Sequence, residues 1–144
     1  MTNPSSVPVT VFPTMRYRDA SAAIEWLIRA FGFEKRVAYT SETGEVMHAE
    51  LTYGNGMIML GTARDDEYGT FVGLPADCGG KSTQCAYVVV DHVKEHLARA
   101  TEAGAKVTMP LKEEPHGSMY CCQDLEGHLW CFGDYDPWKS PAAA

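Results

Sequence analysis

Residues 19–32 read DASAAIEWLIRAFG and residues 91–104 read DHVKEHLARATEAG. Each stretch opens on an aspartate suited to cap a helix and closes on a glycine suited to the left-handed position that ends one. Between the two markers the apolar residues keep helical spacing: Ile24, Leu27, Ile28 and Phe31 in the first, Val93, Leu97, Ala100 and Ala103 in the second. Cap to glycine is 13 residues in both stretches, and the offset between them is 72. Matched helices at a single offset point to an internal duplication, with Asp19 and Asp91 as N-caps.

The repeat continues on both sides. A strand-like segment precedes each helix, Val9–Tyr17 and Thr83–Val90. Another follows each helix, Phe33–Ser41 and Lys106–Lys112, and then come two strands around a tight turn. The turns, Gly54-Asn55-Gly56 and Leu125-Glu126-Gly127, again lie close to 72 residues apart. The expected fold class is therefore α+β, built from tandem βαβββ modules at 9–61 and 83–136. The polar, glycine-rich segment 62–82 is expected to be a linker or lid loop. Residues 1–8 and 137–144 read as flexible tails.

Composition bounds the function. The chain has 144 residues, 12 basic and 19 acidic, for a net charge of −7, with 45% hydrophobic and 22% charged residues. That is the make-up of an ordinary globular domain. The negative balance argues against a nucleic-acid partner and favours a neutral or cationic small molecule. No apolar run reaches membrane-spanning length, and the N-terminal residues lack the pattern of a secretory signal. Five cysteines at 78, 85, 121, 122 and 131, with no CxxC pair, read as free thiols of a cytoplasmic protein.

Side-chain faces follow from the first hairpin. A two-residue turn at Gly54-Asn55 sets Leu51 opposite Ile58 and Ala49 opposite Leu60, an apolar face fit to pack under the helix. The other face carries His48, Glu50, Thr52, Met57 and Met59. His48 and Glu50, at i and i+2, are candidates for an acid–base pair, a metal pair or a solvated pair. In the second hairpin the turn has two possible registers, which present either Cys121 or Cys122 to a given face. In its last strand Leu129, Cys131 and Gly133 share one face, and His128, Trp130 and Phe132 share the other. His92 and His96 read as surface histidines of an amphipathic helix. LKEEP, residues 111–115, reads as a solvated stretch or a pocket rim. No phosphate-loop, dinucleotide or G-x-S-x-G pattern occurs.

The duplicated module, with VMHAELTYGNGMIMLG at 46–61 and PHGSMYCCQDLEGHLW at 115–130, resembles the vicinal oxygen chelate superfamily. This group includes glyoxalase I, extradiol dioxygenases, and the fosfomycin- and bleomycin-resistance proteins. The likeness spans residues 9–135 and is nearest to its PhnB-like, bleomycin-resistance-type branch. It implies curved mixed sheets around an open cavity, in many members completed across a dimer. In metal-dependent members, His, Gln or Glu from the first and last strand of each module bind a cation. Here those places hold Phe12, Met59, Cys85 and Cys131, so no metal or other cofactor is expected. A soft metal on Cys85 and Cys131 would require these two to approach across the modules. Ligands displaced to His48 and Glu50, with His116 or His128, are the other route to a metal.

The resulting expectation is a metal-independent, homodimeric small-molecule binding protein that sequesters an aromatic or cationic compound. Its ligand-binding residues would be Phe12, Thr14, Arg16, His48, Glu50, Met57, Met59, Cys85, Tyr87 and Cys131, with Val89 as further lining. The alternative is a glyoxalase-like lyase, isomerase or dioxygenase that uses an atypical metal site or His48 and Glu50 as acid and base.

Overall fold

The computed structural model describes residues 9–139; the two expected tails fall wholly or partly outside that range. The first capped stretch folds as read. Helix α1 spans Ala20–Phe31, the Asp19 carboxylate accepts from the Ala22 N–H, and Gly32 closes the helix at φ +88°. The second helix, α2, spans Val93–Glu102 and departs from expectation at its start. His92, not Asp91, takes the cap dihedrals, without a side-chain bond. Val93 is the first residue to turn onto the buried face, and the helix begins there.

Strands β1 (Thr14–Tyr17), β2 (Glu34–Thr40), β3 (Val46–Tyr53) and β4 (Gly56–Thr62) form one sheet in the order β1-β4-β3-β2. Strands β5 (Ala86–Val89), β6 (Lys106–Glu114), β7 (Gly117–Gln123) and β8 (Leu129–Gly133) form a second in the order β5-β8-β7-β6. In both, the first strand pairs in parallel with the last, and the other pairings are antiparallel. This is the α+β architecture of two βαβββ modules. The first strand is shorter than expected, starting at Thr14 rather than Val9.

The β3–β4 register is the one the sequence predicts: Tyr53 opposes Gly56, Leu51 opposes Ile58 and Ala49 opposes Leu60. Gly54 carries φ +58° and Asn55 does not share the positive sign, the pattern of a type II′ turn matched to strand twist. The second hairpin resolves its ambiguity through a bulge. The Gly127 N–H donates to the Asp124 carbonyl and the Asp124 N–H to the His128 carbonyl, while Gly127 sits at φ +90°. Cys122 therefore opposes Trp130 on the helix side and Cys121 opposes Cys131 on the open side.

The core lies between the helices and the inner sheet faces. Phe31, at the end of α1, meets Trp26, Trp130 and Phe132 at centroid distances of 5.0, 5.4 and 4.6 Å, so one ring joins both modules. Module 2 also tends both ends of α1. Glu126 accepts from the Arg18 and Asp19 N–H groups, and the Arg99 guanidinium donates to the Ile28 and Arg29 carbonyls. A carboxylate at the start and a cation at the end match the helix dipole.

His96 is a correction to the surface reading. Only 8% exposed, it contacts the Tyr120 hydroxyl through Nδ1 at 2.6 Å and the Phe31 carbonyl through Nε2 at 2.9 Å. Since a carbonyl can only accept, Nε2 carries the proton and Nδ1 accepts from Tyr120. No buried side-chain nitrogen or oxygen among the described residues lacks a partner.

Candidate functional site

Alternation leaves each sheet with one face turned away from its helix. On the first sheet this face carries Thr14, Met57 and Met59 beside His48 and Glu50, all of them half-buried or exposed. His48 Nε2 lies 2.9 Å from Glu50 Oε2, and Arg36 donates to Glu50 Oε1 at 2.6 Å. The hydrogen bond from His48, and then those from Arg36, hold the Glu50 carboxyl below its ordinary range. Tyr39 on β2 stacks near the His48 ring at 6.1 Å. Phe12 is half-buried just before β1.

Arg16 is engaged elsewhere. It is 7% exposed and grips the Asp66 carboxylate with two bonds of 2.8 Å. Tyr68 covers its guanidinium at 4.7 Å and brings its hydroxyl within 3.0 Å of Thr14 Oγ1. Thus a segment within 62–82, with 3₁₀ turns at Tyr68–Thr70 and Pro75–Cys78, is fastened over the β1 edge. The Arg16 bonds and the Gly69 N–H hold the Asp66 carboxyl well below the usual carboxylate range. Its contribution is in place above about pH 4 and is lost only as the pH falls further, toward the depressed folded value. Replacing Asp66 with Asn is expected to speed limited proteolysis inside 62–82 severalfold; unchanged cleavage would show that the clamp does not hold this segment.

The open face of the second sheet is hollowed. A cavity of about 280 Å³ is lined by the apolar side chains of Tyr87, Met109, Pro110, Met119 and Tyr135, with Lys112, Glu114 and His116 at its polar edge. The Tyr87 hydroxyl donates to the Tyr135 carbonyl at 2.8 Å and lies over Gly133. A Cβ there would come within 2.6 Å of that hydroxyl, so glycine on β8 makes room for the tyrosine. Of the residues expected to bind ligand, only Tyr87 lines this cavity. Sequence reasoning gave no role to Met109, Met119 or Tyr135; the rim reading of 111–115 was the one signal pointing there.

Beside the cavity, Cys85, just ahead of β5, brings its sulfur to 3.8 Å from that of Cys131 on β8. The two belong to one module and neighbouring strands, so the expected approach across modules is not what joins them. Burial is the main cause that raises all three thiols on this face, Cys131 to about 11, with Cys85 and Cys121 shifted the same way.

Known proteins share this fold. Residues 10–132 match the sequence pattern of the Glyoxalase/Bleomycin resistance protein/Dioxygenase superfamily. The chain belongs to that superfamily. TioX from Micromonospora sp. ML1 superimposes with a TM-score of 0.69 and 31% identity, covering 88% of this chain and 100% of that one. The fosfomycin resistance protein FosX from Listeria monocytogenes, complexed with Mn(II) and sulfate, superimposes with a TM-score of 0.64 at 11% identity, covering 91% and 93%. An uncharacterised protein of Mycobacterium tuberculosis is 28% identical over 138 residues, 89% of this chain and 75% of its own.

A divalent cation of the superfamily's usual kind does not fit this chain's residues. Of the four positions, Phe12 has no donor atom, Met59 offers a thioether, and Cys85 and Cys131 offer neutral thiols where hard cations favour carboxylate or imidazole. Among the described residues, no three His, Cys, Asp or Glu side chains are grouped to hold a metal ion. No described helix is long and apolar enough to cross a membrane.

Proposed function

We propose that this superfamily member binds and sequesters an aromatic or cationic small molecule without a metal. The carrying observation is the cavity on the second sheet, apolar in its walls with a few polar groups at one edge. That is the make-up of a ligand site. Tyr87 and Tyr135 offer rings to stack on a flat ligand, and Met109 and Met119 adapt to its outline. The net charge of −7 steers cations inward. At about 280 Å³ the cavity is at the small end of ligand pockets, and the first sheet's open face, with Phe12, Thr14, Met57 and Met59, supplies a second wall. A homodimer that sets the first sheet of one protomer over the second sheet of its partner completes the site. Five free thiols suit a reducing, cytoplasmic setting.

The test is a thermal-shift and calorimetric screen of aromatic and cationic compounds, with sedimentation of the free protein. A binder raises the melting temperature, and Tyr87→Ala and Met109→Ala each weaken it at least tenfold without altering the fold. Binding equally tight in both variants would remove the cavity from the ligand site. A monomer in sedimentation would remove the shared wall.

A second reading rests on the 2.9 Å contact of His48 with Glu50, an acid–base pair on the first sheet's open face. Arg36 and the lowered Glu50 carboxyl make that glutamate a weak base. Turnover abolished in His48→Ala, with ligand affinity retained, would establish catalysis here.

A further inference from the structure

The second sheet carries a thiol site that small-molecule binding does not use. Cys131 and Cys121 face each other across β7 and β8. The Ser118–Asp134 and Asp124–His128 bonds on either side mark theirs as a non-hydrogen-bonded pair, the kind whose side chains stand closest. Cys85 approaches Cys131 from the other neighbouring strand at 3.8 Å. Cys85 is exposed, while Cys131 and Cys121 are buried behind it, so the group has an entrance and a sheltered interior. Buried neutral thiols make poor nucleophiles and poor redox sensors, because the thiolate is the reactive form. Cation binding is different, since a thiophilic metal displaces the thiol proton itself.

We propose that Cys85 and Cys131 form a two-sulfur capture site for a soft monovalent d10 cation of the Cu(I) class, replacing the hard-cation site of the fold with a thiol one. Metal–sulfur bonds of about 2.3 Å set two sulfurs about 3.8 Å apart on a tetrahedral edge and about 4.6 Å apart in a linear pair. The separation of 3.8 Å suits a bent centre directly, and a small rotation of exposed Cys85 reaches a linear one. Soft d10 cations accept two sulfur ligands, whereas zinc requires four, and among the described residues no three His, Cys, Asp or Glu side chains are grouped to hold a metal ion. On binding, each thiol releases its proton to solvent and the sulfur pairs go to the metal; nothing is oxidised or reduced. Cys121, opposite Cys131 across β7 and β8, positions that sulfur.

The experiment is anaerobic competition for Cu(I) between reduced protein and a coloured Cu(I) chelator, in a Cys78→Ser background that removes the exposed thiol outside the cluster. The expected result is one equivalent of Cu(I), with affinity at least a hundredfold lower in Cys85→Ser and in Cys131→Ser. Cys121→Ser loses less, and Cys122→Ser, on the helix side, loses nothing. Cys85→Ser, at an exposed position, keeps the test decisive if the Cys131 variant misfolds. Equal Cu(I) affinity with and without Cys85, no retained equivalent, or Zn(II) held as tightly as Cu(I) would overturn the proposal. Ligand binding in the adjacent cavity is read separately through Tyr87→Ala, so either idea can fail alone.

Discussion

Replacing Asp124 with alanine is expected to lower stability by about 3–5 kcal/mol, the scale of breaking a buried charged network. Asp124 is 7% exposed and all of its carboxylate acceptor positions are in use. Oδ1 accepts from the Glu126 and His128 N–H groups, both at 3.0 Å. Oδ2 accepts from the Tyr17 hydroxyl at 2.6 Å and the Trp130 indole N–H at 3.0 Å. Burial, and then the facing Asp124 charge, push the Tyr17 phenol well above its ordinary range, so it stays a donor. One side chain thereby shapes the β7–β8 turn, holds the core tryptophan and ties β1 of module 1 to module 2. Alanine leaves all four donors without their acceptor. Asparagine rescues only in part, since its amide nitrogen must face two donors, and about 2 kcal/mol of loss is expected. At a few degrees per kcal/mol, Asp124→Ala should melt about 10–15 °C lower in calorimetry. A fall under about 3 °C would show that water takes over these bonds and that the network is not what joins the modules.

The second large effect is at His96. His96→Ala is expected to cost about 3 kcal/mol, because it opens a hole beside Phe132, whose ring lies 4.3 Å away, and orphans the Tyr120 hydroxyl. The residue also makes stability depend on pH. Burial pushes the imidazole below its ordinary range, the bond to the Phe31 carbonyl opposes this, and Arg99 adds to it. The unfolded chain therefore takes up a proton on this histidine first as the pH falls. Its contribution is complete above the ordinary value of about 6.5 and declines as the pH drops from there toward the lowered folded value. Denaturation midpoints measured between pH 8 and pH 5 should fall on the acid side in the native protein and less steeply in His96→Phe. Equal slopes would place the acid sensitivity on other groups.

Asp124 reaches Tyr17 and His96 reaches the Phe31 carbonyl across the modules, and neither partner is apparent from its neighbours in sequence. Asp124 reads as a turn residue, which it also is. His96 reads as the polar half of an i, i+4 pair with His92, yet it falls at helical spacing between Val93 and Ala100, the buried stripe of α2. That spacing was the available signal for burial; the polarity of histidine masked it.

What the sequence by itself determined is local and periodic. Asp19 and Gly32 bounded the first helix, the apolar spacing located the second although its cap falls on His92, the alternation along 46–61 set the β3–β4 register, and the offset of 72 declared two modules of one kind. These features follow from φ/ψ preferences and from the two-residue and 3.6-residue periods, which neighbouring residues enforce on one another. The family likeness came instead from the motifs at 46–61 and 115–130, and the hard-cation positions that Phe12, Met59, Cys85 and Cys131 do not fit are what that resemblance implies. Tertiary structure alone decided where Arg16 spends its charge, that the second sheet holds the cavity, and that Cys85 meets Cys131 within one module. Each depends on segments distant in the chain whose approach is set by sheet curvature and helix packing, and no local period encodes that approach.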